Sequence, residues 1–245
     1  MNLHIYYRHY DTATGALKRR PTWFSYEQCL SNLLKTISVS AERKIFLTIV
    51  FDGTQERYEN DFSSHLLSTW ANKNKNINLS HAIISAGSDK SSFAQTVDMA
   101  AKNDQILNDD LVYLLENDYL HAERWLRAVD EIYYSEIQWD YFSLYDHYDK
   151  YPFHPRFHKK YKALKASLFV TATNHWRSAP STCGSFLVKA ETLRADQFFL
   201  KRFKDRKLQP LLKLVKGRLL LTAVPGLSTH CMEGLLSPTV DWSRV

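Results

Sequence analysis

Leu111-Val112-Tyr113-Leu114-Leu115-Glu116-Asn117-Asp118 carries five apolar residues straight into two carboxylates that flank an amide. A run this short and this apolar reads as a strand covered on both faces, the state of a parallel strand with helices above and below it. Upstream, residues 3–7, 45–51 and 79–85 give three more strands, of which 45–51 is near-continuously apolar. Between them the spacing predicts helices from Ser25, as N-cap, to about 37, from about 61 to 71, and from near 91 to about 102. Asp52-Gly53 and Gly87-Ser88 punctuate the turns. Strand alternating with helix specifies an α/β layer architecture, a mostly parallel central sheet flanked by helices. A helix through Trp125, Leu126, Val129 and Ile132 follows the acidic triplet. Beyond it the pattern loosens. Strands are expected at 141–145, 166–172, 183–189 and 218–224, a basic helix at 200–215, a long loop at 148–165 and a final loop from Pro225.

The 245 residues suffice for a core without disulfides or a structural metal. Seven Gly and seven Pro exclude collagen-like and low-complexity readings. No apolar run approaches the ~20 residues of a membrane span, and the opening residues lack a leader pattern. A soluble, cytoplasmic protein is expected. Without repeats or a linker, one domain over 1–245 is expected. Cys29, Cys183 and Cys231 form no CxxC pair and read as reduced, buried thiols. Residues 1–122 hold 12 Lys/Arg against 14 Asp/Glu, whereas 123–245 hold 20 against 12. The basic half is suited to an anion: a diphosphate, a membrane surface, a charged glycan or a nucleic acid.

Ligands of open α/β sheets bind beyond the carboxyl ends of the strands. Alternation projects Glu116 and Asp118 to one side there, able to converge on a hard cation such as Mg²⁺ or Mn²⁺. The same two acids would also serve as negative charges ahead of the next helix. His175-Trp176-Arg177 reads as a loop beside Ser181-Thr182, with Trp176 either stacking on a sugar or filling the core, and Arg177 able to grip a phosphate or carboxylate. Dinucleotide, P-loop, hydrolase-elbow and zincin motifs are absent.

This order of elements resembles the GT-A-type nucleotide-sugar-dependent glycosyltransferases over nearly the full length, in the manner of bacterial or phage glycan enzymes. Glu116-Asn117-Asp118 resembles their DxD motif, although it begins with Glu. The first strand also lacks their common P-x-Y/F-N ending. The resemblance implies Asp118 as ligand of Mn²⁺ or Mg²⁺, acting on the leaving diphosphate, and Glu116 as ribose or second metal contact. Tyr7, Arg8 and Asp52 fall where that superfamily holds base and ribose, and Gly87, Asp89 and Lys90 where its nucleotide-binding loop runs. Pro225 to His230 resembles the C-terminal loop that supplies a metal-ligating His, making His230 the third ligand. For an inverting enzyme the resemblance puts the general base at Asp205, with Asp146 and Asp196 as alternatives. Residues 1–122 would then bind a UDP-sugar or similar donor, and 123–245 a glycan or lipid-linked acceptor at the inner membrane face, drawn there by Lys159, Lys160, Lys162 and Lys165. Three rivals stand beside this reading. One is transfer to a modified nucleic-acid base, and another is a nucleotidyltransferase. The third is a basic nucleic-acid-binding module using Tyr148, Tyr151, Phe153, Phe157 and Tyr161.

Overall fold

The computed structural model describes residues 1–10, 19–39, 43–71, 73, 75–155, 164–203 and 205–245, with Asp205 and Arg206 by backbone alone. Four parallel strands come from the first half: β1 (Leu3–Tyr10), β2 (Ile45–Asp52), β3 (Ile77–Ile84) and β4 (Leu111–Glu116). After them come β5 (Tyr119–His121), β6 (Tyr141–Ser143), β7 (Leu168–Val170), β8 (His175–Ser178), β9 (Phe186–Lys189), β10 (Leu220–Val224) and β11 (Ser228–His230). Nine strands make one sheet in the order β3-β2-β1-β4-β9-β6-β10-β8-β7, and β5 pairs with β11 in a separate ribbon. β9 runs antiparallel to both β4 and β6, so β4, β6 and β10 share one direction and end at one edge. The sheet is mostly parallel in its first half and mixed in its second.

The helices are α1 (Tyr26–Ser38), α2 (Gln55–Glu59), α3 (Phe62–Trp70), α4 (Asp89–Lys102), α5 (Trp125–Tyr133), α6 (Ala190–Arg202) and α7 (Asp205–Lys216). Ser25 caps α1 by accepting from the Gln28 amide, and Ser88 caps α4 through Ser91. Strand alternation sorts the core into two layers. Ile5, Tyr7, Leu47 and Tyr113 face Leu30, Leu33 and Leu34 of α1 and Trp125, Val129 and Ile132 of α5. Tyr6, Val50, Val112 and Leu114 face Val97 of α4, Leu193 of α6 and Leu212 of α7.

Several expectations shift. The basic helix expected at 200–215 is two helices, α6 and α7, because the chain turns extended at Phe203. The strand expected at 166–172 shortens to β7, and the loop expected at His175 to Arg177 is strand β8. Among its described residues the long basic loop holds a 3₁₀ turn at Tyr148–Lys150, and Phe157, Lys159, Lys160, Tyr161 and Lys162 lie outside the described residues. β5 and β11 have no counterpart in the sequence reading.

Candidate functional site

Register sets the geometry. β1 pairs with β4 so that Arg8 stands opposite Glu116, at the carboxyl edge of both strands. Just beyond, Asn117 is buried and fixed from two sides. Its carbonyl accepts from the Tyr7 hydroxyl at 3.0 Å, and its amide donates to His9 Nδ1 at 2.8 Å. With Nδ1 accepting, His9 donates from Nε2 to Asp61 Oδ1 at 3.1 Å. The middle residue of the triplet is therefore an anchor, and the two acids on either side of it carry the charge.

Glu116 lines an open cleft together with the apolar Phe93, Phe186 and Leu208 and with Thr182, Cys183 and Gly184. Arg8 bridges this cleft's acids: Nη2 donates to Glu116 Oε1 at 2.8 Å and Nη1 to Asp89 Oδ1 at 3.0 Å. Burial pushes the Glu116 carboxyl up, Arg8 pulls it down, and the charge of Asp118 adds to the rise. Gly184 allows the close approach, since a Cβ there would lie 3.1 Å from Glu116 Oε1 and 3.2 Å from Arg8 Nη2. Arg8 Nε is buried with no hydrogen-bond partner among the described residues.

Asp118 sits where β5 meets β11. The pairing of His230 with Tyr119 brings the two rings into a stack, 5.1 Å between centroids and 3° apart in plane. His230 Nε2 then donates to Asp118 Oδ2 at 3.0 Å, and the Cys231 amide donates to the Asp118 carbonyl at 2.8 Å. Burial opposes a charge on His230, but the Asp118 carboxylate more than offsets it and holds the imidazole pKa well above its ordinary value. Arg20 completes the arrangement, donating from Nη2 to the same Asp118 oxygen at 2.7 Å.

Two expected metal ligands, Asp118 and His230, are thus in contact, one oxygen and one nitrogen of the types that bind Mn²⁺. The 3.0 Å between them is a hydrogen bond, so His230 would ligate a cation only after giving up the proton it donates to Asp118. Among the described residues no third His, Cys, Asp or Glu joins them in ligating geometry. A cation held by these two would have to take the rest of its shell from substrate phosphates, as Mg²⁺-type sites commonly do.

Other expected site residues divide. Asp52 braces the turn that follows β3 by accepting from the Ala86 amide at 2.8 Å. Gly87, at φ +70, occupies the left-handed region ahead of α4, and Asp89 and Lys90 are exposed in that helix's first turn. Tyr7 is corrected: it is fully buried and supports Asn117 from the core, so it offers no face to a base. Of the two readings of Trp176 the structure has the core one, the ring being fully buried in β8 with Nε1 donating to Thr171. On the opposite face of β8, His175 is exposed and Arg177 pairs with Asp146 at 2.8 Å. Asp146 is fully buried, its second oxygen accepting from Tyr151 at 2.6 Å. Asp205 opens α7, whose Leu208 lines the cleft; its side chain lies outside the described residues. Asp196 is remote. It accepts from Tyr141, Lys216 and Arg218 beside the amino ends of β6 and β10, the edge opposite Glu116. Arg20 was not found from the sequence, because nothing local ties it to a carboxylate 98 residues away.

No protein-family model matches the chain, and no curated protein sequence matches it. Solved structures do. The crystal structure of S. aureus TarS 1-349 superposes with a TM-score of 0.50 at 13% identity, covering 91% of this chain and 58% of that one. The apo crystal structure of mouse xyloside xylosyltransferase 1 gives 0.52 at 11% identity, covering 90% and 84%. This chain therefore spans little more than half the length of the TarS fragment. Both neighbours are of the GT-A type, and the fold of this chain is GT-A-like: a mixed α/β layer structure around a large, mostly parallel sheet.

Proposed function

We propose that this chain is a glycosyltransferase that moves a sugar from a nucleotide-sugar donor, a UDP-sugar foremost, to a hydroxyl of a saccharide or lipid-linked glycan. The contact of Asp118 with His230 carries this reading, because it joins a carboxylate and an imidazole at the strand edge where a donor diphosphate would lie in a GT-A-like fold. Asp118 and His230 would hold the divalent cation, Mn²⁺ or Mg²⁺, which supplies Lewis-acid stabilisation to the leaving diphosphate when bound. Asp52 and Gly87 shape the turn for the nucleotide. Arg8, held between Asp89 and Glu116, lines the cleft and is assigned to the donor's polar groups. The acceptor enters from the 123–245 side. Asp205, at the start of the helix that borders the cleft, is our choice for the base that takes the acceptor proton, consistent with inversion. Asp146, with both oxygens engaged, is assigned to orienting Arg177 beside the acceptor.

Thermal-shift and turnover measurements with UDP-, GDP-, CMP- and dTDP-sugars, each with and without Mn²⁺, test the reading, since a bound donor raises the melting temperature by mass action. One donor should stabilise the protein and be consumed with release of its nucleotide. If none of the four shifts the melt or turns over with any hydroxyl acceptor, the reading is wrong.

A further inference from the structure

Arg20 lies outside every motif in the sequence, yet the fold builds a seat for it. Its guanidinium carbon lies 4.5 Å from the Phe24 ring centroid and 5.7 Å from that of Tyr26. Nη1 donates to the Cys231 carbonyl at 2.7 Å, and Nη2 to the Tyr26 hydroxyl at 3.4 Å and to Asp118 Oδ2 at 2.7 Å. The side chain is only 14% exposed, which separates this pair from a loosely held surface ion pair. Asp118 Oδ2 thus receives a positive group where the glycosyltransferase reading expects the cation to bind.

Asp118 Oδ2 already accepts from both Arg20 and His230, so a divalent cation can reach that enclosed oxygen only as the guanidinium withdraws, because like charges repel strongly where the dielectric is low. A guanidinium fork also matches phosphate, to which it donates two parallel hydrogen bonds. We propose, on the basis of that reading, that Arg20 is a resident counter-cation and a further donor-binding residue. It neutralises Asp118 in the free protein, competes there with the divalent cation, and is released to the donor diphosphate when cation and nucleotide enter together. Binding of each ligand then favours the other, and Arg20 is the source of the coupling.

The test needs no turnover. Mn²⁺ alone is titrated into wild type, Arg20→Gln, Arg20→Met and Arg20→Lys, with free Mn²⁺ followed by electron paramagnetic resonance and folding checked by melting. Both charge-removing variants should bind Mn²⁺ at least tenfold more tightly than wild type, with Arg20→Lys close to wild type. Asp118→Asn on the Arg20→Gln background should remove the gain. Calorimetry with UDP should then show that Mn²⁺ strengthens nucleotide binding at least tenfold less in Arg20→Gln than in wild type. Unchanged Mn²⁺ affinity in whichever charge-removing variant folds would overturn the proposal. If wild type with Mn²⁺ binds none of UDP, GDP, CDP or dTDP, the donor reading falls, while the Mn²⁺ titration still decides whether Arg20 holds the cation's position.

Discussion

Asp118 is too enclosed for its substitution to be read by activity alone. Its side chain is 2% exposed and takes hydrogen bonds from Arg20 and His230. Asp118→Asn leaves two cationic groups facing an amide, so it should destabilise the fold by about 2–4 kcal/mol besides removing transfer. Urea unfolding beside a turnover assay separates the two effects, and an unchanged midpoint would mean the pairs are screened. Two buried histidines make a second prediction. Burial pushes the His121 pKa down to about 3, and burial together with the Lys150 charge does the same for His147. Both are neutral in the folded state and take up a proton on unfolding below about pH 6.5. The unfolded state then binds more protons, so stability falls as pH drops from about 6.5 toward 3, by up to about 1.4 kcal/mol per pH unit for each histidine. Urea midpoints between pH 7 and 4.5 should decline, and His121→Gln should flatten the slope by about one proton. A wild-type midpoint that holds level over that range contradicts the assignment.

The elements explain which acids can serve chemistry. Asp196 belongs to α6 and ties it to α7 and to the amino ends of β6 and β10 through Lys216, Arg218 and Tyr141. Asp196→Asn should therefore lower stability by about 2–4 kcal/mol and leave kcat/KM of the folded protein within about twofold. Asp205→Asn, at the cleft end of α7, should instead lower kcat by about 10²-fold or more with donor affinity unchanged. A hundredfold loss from Asp196→Asn alone would reverse these roles. Much of this framework was legible beforehand: β2 and β4 are apolar runs bounded by turn residues, and the alternation of strands with helices specified the layers, although β3, with Asn78, Ser80 and His81, is a half-exposed edge strand. β5 and β11 were not legible, because three residues show no period, and it is their pairing that delivers His230 to Asp118. The burial of Trp176 and Tyr7 was not legible for a related reason. Alternation tells which residues share a face, and only the packed fold tells which face is covered.

The uneven charge becomes a surface once the chain is folded. No helix among the described residues is long and apolar enough to cross a membrane. Yet α7 exposes Leu214 at 84% and Val215 at 55%, on the helix that also exposes Lys207 and Lys213. On α6, exposed Phe198 lies beneath the Arg202 guanidinium, 5.7 Å from its ring centroid. Outward apolar side chains among cations suit an anionic bilayer, where burial of the apolar groups and attraction of the charges add. A rigid nucleic-acid duplex would gain from the charges alone. The chain should therefore co-sediment with vesicles containing about a third anionic lipid at low salt and be largely released at high salt, while neutral vesicles leave it in solution. Leu214→Glu with Val215→Glu should weaken vesicle binding about tenfold with the melting temperature unchanged, since both side chains already face water. Micromolar duplex DNA should neither bind nor displace the protein from vesicles. Should the duplex bind with a steep log–log salt dependence while anionic vesicles do not, the basic half serves a nucleic-acid acceptor and the lipid-linked glycan is excluded.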